Sequence, residues 1–278
     1  MKISNPTQLL VALKAKGVDI KEFDYVEGRT TEEYVMAHPT IVHGRRFYQN
    51  PYLWTMCLDA KMNDIVEYLY NTKEAEGDLV LVKAALNTQN ESSKIPMDMM
   101  KRYITYTNSL TDEEKKERGI DLEYDIDSVL ENLAANHKVE WFKQVVRLAV
   151  NSSIEPRYIT FGNAGNGMAL YYACTEGYLT EPNGEEFANY LLKLGAEPIL
   201  NESLAFCMAC KHAAYTLAVK MLDDGADLHA KNDLGLKMIM RNDNKKDIIK
   251  LSESNEASRK VLLERYAAEE KKEEQTED

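Results

Sequence analysis

Two glycines thirty residues apart constrain this chain more than any other feature. Gly195 closes the stretch EEFANYLLKLG and Gly225 closes YTLAVKMLDDG, a step of 30 residues from 195 to 225. Each follows a short pattern with apolar residues on one side: Phe187, Leu191 and Leu192 in the first, Leu217, Met221 and Leu222 in the second. That spacing predicts an amphipathic helix, and glycine ends a helix by entering the left-handed region at little steric cost. Another short helical pattern precedes each one. MALYYACTEG places Leu170, Ala173 and Cys174 on one face, and SLAFCMACKH does the same with Phe206, Ala209 and Cys210. The unit is two short helices and a glycine turn. Helices this short cannot stand alone, because nucleation is costly and one apolar stripe stays wet, so such units must stack.

After Gly225 the polar run GADLHAKNDLG leads to a second glycine, Gly235, and then to LGLKMIMRND and KKDIIKLSES as a further pair. This order resembles the ankyrin repeat. GADLHAKNDLG is similar to the family's link between one unit's second helix and the next unit's first. MALYYACTEG resembles the family's T-P-L-H-x-A-A-x-x-G segment, with Met168 for the threonine, Ala169 for the proline and Tyr171 for the histidine. In the following copy Cys207 stands at the histidine position and Cys210 at the second alanine, where cysteine packs as a small apolar residue. The resemblance covers residues 163–251 most fully.

Upstream, PYLWTMCLDA with MNDIVEYLYN, LVLVKAALNTQN with PMDMMKRYITYTNS, and the two halves of ENLAANHKVEWFKQVVRLAV read as further pairs. LLVALKAKG reads as a lone second helix ending at Gly17. LTDEEKKERGID is expected as an exposed helical turn or loop, and LTEPNG as a loop marked by proline and glycine. NEASRKVLLERYAAEE gives a last amphipathic helix with Val261, Leu262 and Tyr266 inward. The fold class expected is all-α, an ankyrin-like solenoid with short hairpin-like turns and a C-terminal capping helix. Its expected segments are an N-terminal cap or irregular repeat at 1–49, degenerate repeats with inserts at 50–160, clearer repeats at 161–254, and the capping helix with an acidic tail at 255–278.

The net charge is −12, and residues 264–278 hold seven acids against three bases, which leaves −8 for the remainder. Binding to a phosphate backbone needs clustered Lys and Arg, so direct nucleic-acid binding is not expected. No run of about 18 apolar residues is present, which excludes a membrane-spanning helix. The apolar run from Leu9 to Leu13 has no signal cleavage site after it. The expected location is the cytoplasm, or the host cytoplasm for a viral chain.

Catalytic and metal chemistry find no frame. Four cysteines are too few for a disulfide scaffold, and Cys207 with Cys210 has no second ligand pair at zinc spacing. The histidines at 38, 43, 137, 212 and 229 form no zinc helix motif; His38 and His43, before Arg45 and Arg46, are better read as a loop or a partner contact. FGNAGNGM fits neither phosphate-binding glycine pattern, and no serine sits in a nucleophile elbow. No cofactor, metal or enzyme activity is expected.

What remains is binding. The resemblance implies a non-enzymatic module that holds another protein on its concave face, with contacts on turn tips and the outer end of each first helix. By position these are Thr175, Glu176, Lys211, His212, Asp233, Leu234 and Leu236, with Asp59 and Ala60 as upstream equivalents. Tyr103, Tyr106 and Tyr178, near the inserts, are further contact candidates because tyrosine is enriched at interface hot spots. The alternative is an acidic viral or bacterial effector that occupies the basic cleft of a nucleic-acid-binding protein.

Overall fold

The computed structural model describes residues 3, 6–18, 51–71, 77–90, 92–153, 168–175, 179, 185–243 and 251–276. Among these residues there are fourteen helices and no strand. They are α1 (Pro6–Ala15), α2 (Pro51–Asp59), α3 (Asn63–Tyr70), α4 (Leu79–Leu86), α5 (Ile95–Ser109), α6 (Asp112–Arg118) and α7 (Leu122–Ala135), followed by α8 (Val139–Asn151), α9 (Met168–Ala173), α10 (Glu185–Lys193), α11 (Leu200–Lys211), α12 (Tyr215–Asp223), α13 (Ala230–Asp243) and α14 (Glu253–Thr276). No described helix is long and apolar enough to cross a membrane.

Three helix pairs are joined by the same turn. Lys61, His137 and Ala213 each take a left-handed φ, of 52, 60 and 59°. In each case the next N–H donates back to a carbonyl five residues earlier: Met62 to Cys57, Lys138 to Leu133 and Ala214 to Ala209, all at 2.9 Å. These bonds satisfy carbonyls that a helix end would otherwise leave orphaned. A second recurring stop uses glycine. Gly17, Gly195 and Gly225 have φ of 76, 95 and 100°. The N–H after each donates five residues back, from Val18 to Leu13, Ala196 to Leu191 and Ala226 to Met221.

The chain divides into two compact units. The first holds residues 1–129 and 143–153. Within it α2 packs on α3 and α4, α4 on α5, and α1 on α3. Leu9, Leu13, Leu53, Trp54, Ile65 and Leu69 are wholly buried. Asp78 caps α4 by accepting the Val80 N–H at 3.0 Å, and the Thr55 hydroxyl donates to the Ala84 carbonyl at 3.0 Å, tying α2 to α4.

The second unit holds residues 130–142 and 154–278. Here the first helices touch in chain order, α9 on α11 and α11 on α13, and so do the second helices, α10 on α12 and α12 on α14. Each first helix also meets its own second helix, α9 with α10, α11 with α12 and α13 with α14. Phe206, Leu191, Met221 and Leu262 are wholly buried between the rows. A fully buried side chain of this size contributes roughly 1.5–3 kcal/mol, so the two rows hold each other chiefly by area removed from water.

One inward position changes, and the helix expected over KKDIIKLSES falls mostly outside the described residues, at 245–250. Leu251 and Ser252 are not helical, and α14 begins at Glu253 and packs on α13. Val261 is 37% exposed, whereas Leu262 and Tyr266 are buried. Val261 precedes Leu262 by one residue and so points about 100° away around the helix. The link after Gly225 is a run of tight turns that enters α13 directly, with the Ala230 N–H donating to Asp227 at 3.3 Å.

Candidate functional site

The entries to α11 and α13 are built alike. Asn201, Glu202 and Ser203 have φ of 53, 53 and 52°, and Lys231, Asn232 and Asp233, thirty residues later, have 55, 56 and 60°. Three consecutive left-handed residues without a glycine carry a steric cost of about 1–2 kcal/mol each. The first helices run parallel. At their starts the Asn201 amide donates to the Met168 sulfur at 3.4 Å and Lys231 pairs with Glu202; at their ends the Asn242 amide of α13 donates to the Cys210 carbonyl of α11 at 2.9 Å. The turn tips therefore line one edge of the unit and the helix ends line the other.

The residues carried over from the resemblance fall on both edges. Asp233, Leu234 and Leu236 sit half-buried at the start of α13, on the tip edge. Thr175, Lys211 and His212 sit at the ends of α9 and α11, on the opposite edge. Thr175 is partly engaged already, its hydroxyl donating to the Tyr172 carbonyl at 2.7 Å. Lys211 is exposed, and His212 caps α11 with its N–H donating to Met208. Glu176, Tyr178, His38 and His43 lie outside the described residues.

Two upstream candidates are spent inside the first unit. Tyr103 is buried and its hydroxyl donates to the Asp125 carboxylate; burial raises the Asp125 carboxyl above its usual range. The Asp59 carboxylate accepts from the Gln89 N–H at 2.7 Å and from the Thr88 hydroxyl, fastening the end of α2 to the loop after α4. Tyr106 is half-buried and lies under Arg118, its hydroxyl accepting from that guanidinium.

One cluster on the tip edge was not singled out from sequence. His229, in the turn before α13, places Nδ1 2.6 Å from Asp233 and Nε2 2.8 Å from Glu269 of α14. Its ring meets Tyr266 edge-on, centroids 5.7 Å apart, and the Tyr266 hydroxyl donates to the Leu228 carbonyl at 2.6 Å. The Asp233 hydrogen bond, opposed by partial burial and reinforced by Glu269, raises the His229 pKa above 6.5. While it carries both ring protons between the two carboxylates, His229 has no lone pair to offer. Asp233 four residues on was visible in the sequence as a helix-spaced pair; Glu269, forty residues on, had no local signal.

The cysteines are a core matter. All four are buried and free, and burial pushes the Cys57 thiol up to about 12 and the Cys207 thiol up to about 11. Among the described residues no group of histidine, cysteine and carboxylate side chains is arranged to hold a metal ion. No protein-family model, no curated protein and no solved structure matches this chain.

Proposed function

We propose that this protein is a non-enzymatic interaction module, an ankyrin-like stack of helix pairs that holds a partner protein along the edge of its turn tips and first helices. The observation that carries this reading is the pair of tips at 201–203 and 231–233. Their backbone is the same and their exposed side chains are not, Asn201 and Glu202 against Lys231 and Asn232, while Ser203 is buried and accepts the Asp227 N–H at 2.8 Å. Left-handed backbone at non-glycine residues is costly, and such cost concentrates where a surface has work beyond folding. A fixed frame bearing unlike polar groups is what selective recognition of a partner requires.

The two edges are separable. Leu236→Glu alters the tip edge and Lys211→Glu the opposite one, so each is made alone and the immobilised proteins are used to capture partners from cell lysate, read by mass spectrometry. One of the two substitutions should lower capture tenfold or more, which is about 1.4 kcal/mol of binding, with the circular dichroism spectrum unchanged. Undiminished capture by both would remove these surfaces from the proposal. Repeating the capture at raised salt and with added DNA decides the role of the negative charge. An acidic surface seated in a basic cleft loses its partner under both conditions, while an apolar contact survives them.

A further inference from the structure

We propose that His229 is a proton-operated clasp on the C-terminal helix: carrying two ring protons it joins Asp233 of α13 to Glu269 of α14, and on losing one it releases one of them. The argument is one of donors. Both partners are carboxylates, which only accept, and both approach ring nitrogens within hydrogen-bond distance, at 2.6 and 2.8 Å. A neutral imidazole has a single N–H and turns a lone pair toward whatever faces its other nitrogen. Only the imidazolium satisfies the two contacts together.

The surroundings leave the charge balance to these groups. On the side of α13 the ring faces Asp233, on the side of α14 Glu269 and Tyr266, and within its own turn Asp227 accepts the His229 backbone N–H at 2.9 Å. The nearby cation Lys231 is paired with Glu202 of α11. The histidine pKa is raised in the folded chain, so the stabilisation is fully present below 6.5 and is lost as the pH climbs through the raised value. The clasp follows from this geometry whether or not a partner binds, and its opening changes which carboxylates the tip edge shows to solvent.

Amide hydrogen exchange of the full chain, corrected for intrinsic rates and followed from about pH 5.5 to 8.5, tests it together with the histidine proton titration by NMR. In the native protein the opening equilibrium at residues 265–269 should rise with pH, by about tenfold for each unit by which the Glu269 contact raises the His229 pKa. His229→Gln should flatten that dependence. Glu269→Gln should flatten it too while keeping α14 docked, because the new amide can donate to a neutral ring nitrogen, and the His229 titration should fall back toward 6.5. Glu269 is half-exposed, so this second variant reads the clasp even where the first does not fold. A His229 that titrates at or below 6.5 in the native chain, or a pH dependence that persists in either variant, overturns the proposal.

Discussion

Gly225 and Gly235 bound the same short link but answer to different constraints. Gly225 has φ of 100° and open space where a Cβ would stand, so its requirement is backbone conformation alone. Gly235 is buried, and a Cβ there would lie 2.8 Å from a Phe206 ring carbon and 2.8 Å from the Tyr266 hydroxyl. Its requirement is room for α11 and α14 to approach α13. Gly235→Ala is expected to lower stability by about 1–3 kcal/mol, the cost of an overpacked methyl, and to disturb the Tyr266 contact with Leu228. Lys61 is the converse case, a side chain held at φ 52° where glycine would be relaxed. Its side chain is exposed, so Lys61→Gly should raise stability by roughly 1 kcal/mol through relief of left-handed strain. Both are read from urea denaturation midpoints at constant slope. A neutral Gly235→Ala would mean that Phe206 and Tyr266 yield freely, and a destabilising Lys61→Gly would mean that unfolded-chain entropy outweighs the strain.

Among the elements, α6 and α13 show how differently a helix can be held. No residue of α6 is buried, and the helix rests on its ends: Thr111 and Glu114 form a reciprocal capping box and Gly119 closes it at φ 64°. Thr111→Ala should therefore cost about 1 kcal/mol of local helix stability and little global stability, since no core depends on it. The same box lowers the Glu114 carboxyl below 4.5, mainly through the Thr111 backbone N–H. Its contribution is thus present above 4.5 and fades as the pH falls through the lowered value. Hydrogen exchange confined to 112–118 checks both statements. In α13 the constraint is buried instead. The Asn242 amide reaches the Cys210 carbonyl, the Lys211 carbonyl and the Tyr215 hydroxyl at 2.9, 3.3 and 3.1 Å, stitching α13 to the α11–α12 turn. Asn242→Ala removes all three bonds, leaving the Cys210 carbonyl with the Ala213 N–H at 3.2 Å, and should cost about 1–3 kcal/mol globally. Elements of this kind were legible in the sequence where periodicity and glycine speak locally, as in the helix stops at Gly17, Gly195 and Gly225. The left-handed entries to α11 and α13 were not, because Asn201, Asn232 and Asp233 favour that region only as single residues, and Glu202, Ser203 and Lys231 carry no signal for three such residues in a row.

At the scale of the whole chain, neighbour contacts decide what a local loss does. The paired helices were legible because apolar spacing is a local property; the link from His229 to Glu269 was not, because its partners lie forty residues apart and meet only when α14 lies along α13. Stability in such a unit should pass from neighbour to neighbour, and the cysteines offer a readout. Thiols react as thiolates, and burial raises the Cys57, Cys174, Cys207 and Cys210 thiols above their usual range, so labelling reports local opening. Ending the chain at Asp243 removes α14, and with it the buried Leu262 and Tyr266, the cap that Asn255 places on the Thr216 N–H and the Arg259 pairing with Asp243. Cys207 and Cys210 lie on α11, which touches both α12 and α13, the two helices that α14 covers. They should label on the order of 100-fold faster, the change expected from losing one or two buried side chains of this size. Cys174, which follows α9 one helix further from the truncation, should accelerate less, and Cys57 in the other unit should keep its rate. Equal acceleration of Cys174, Cys207 and Cys210 would mean that the second unit opens as one body, and the neighbour-by-neighbour account of its stability would fail.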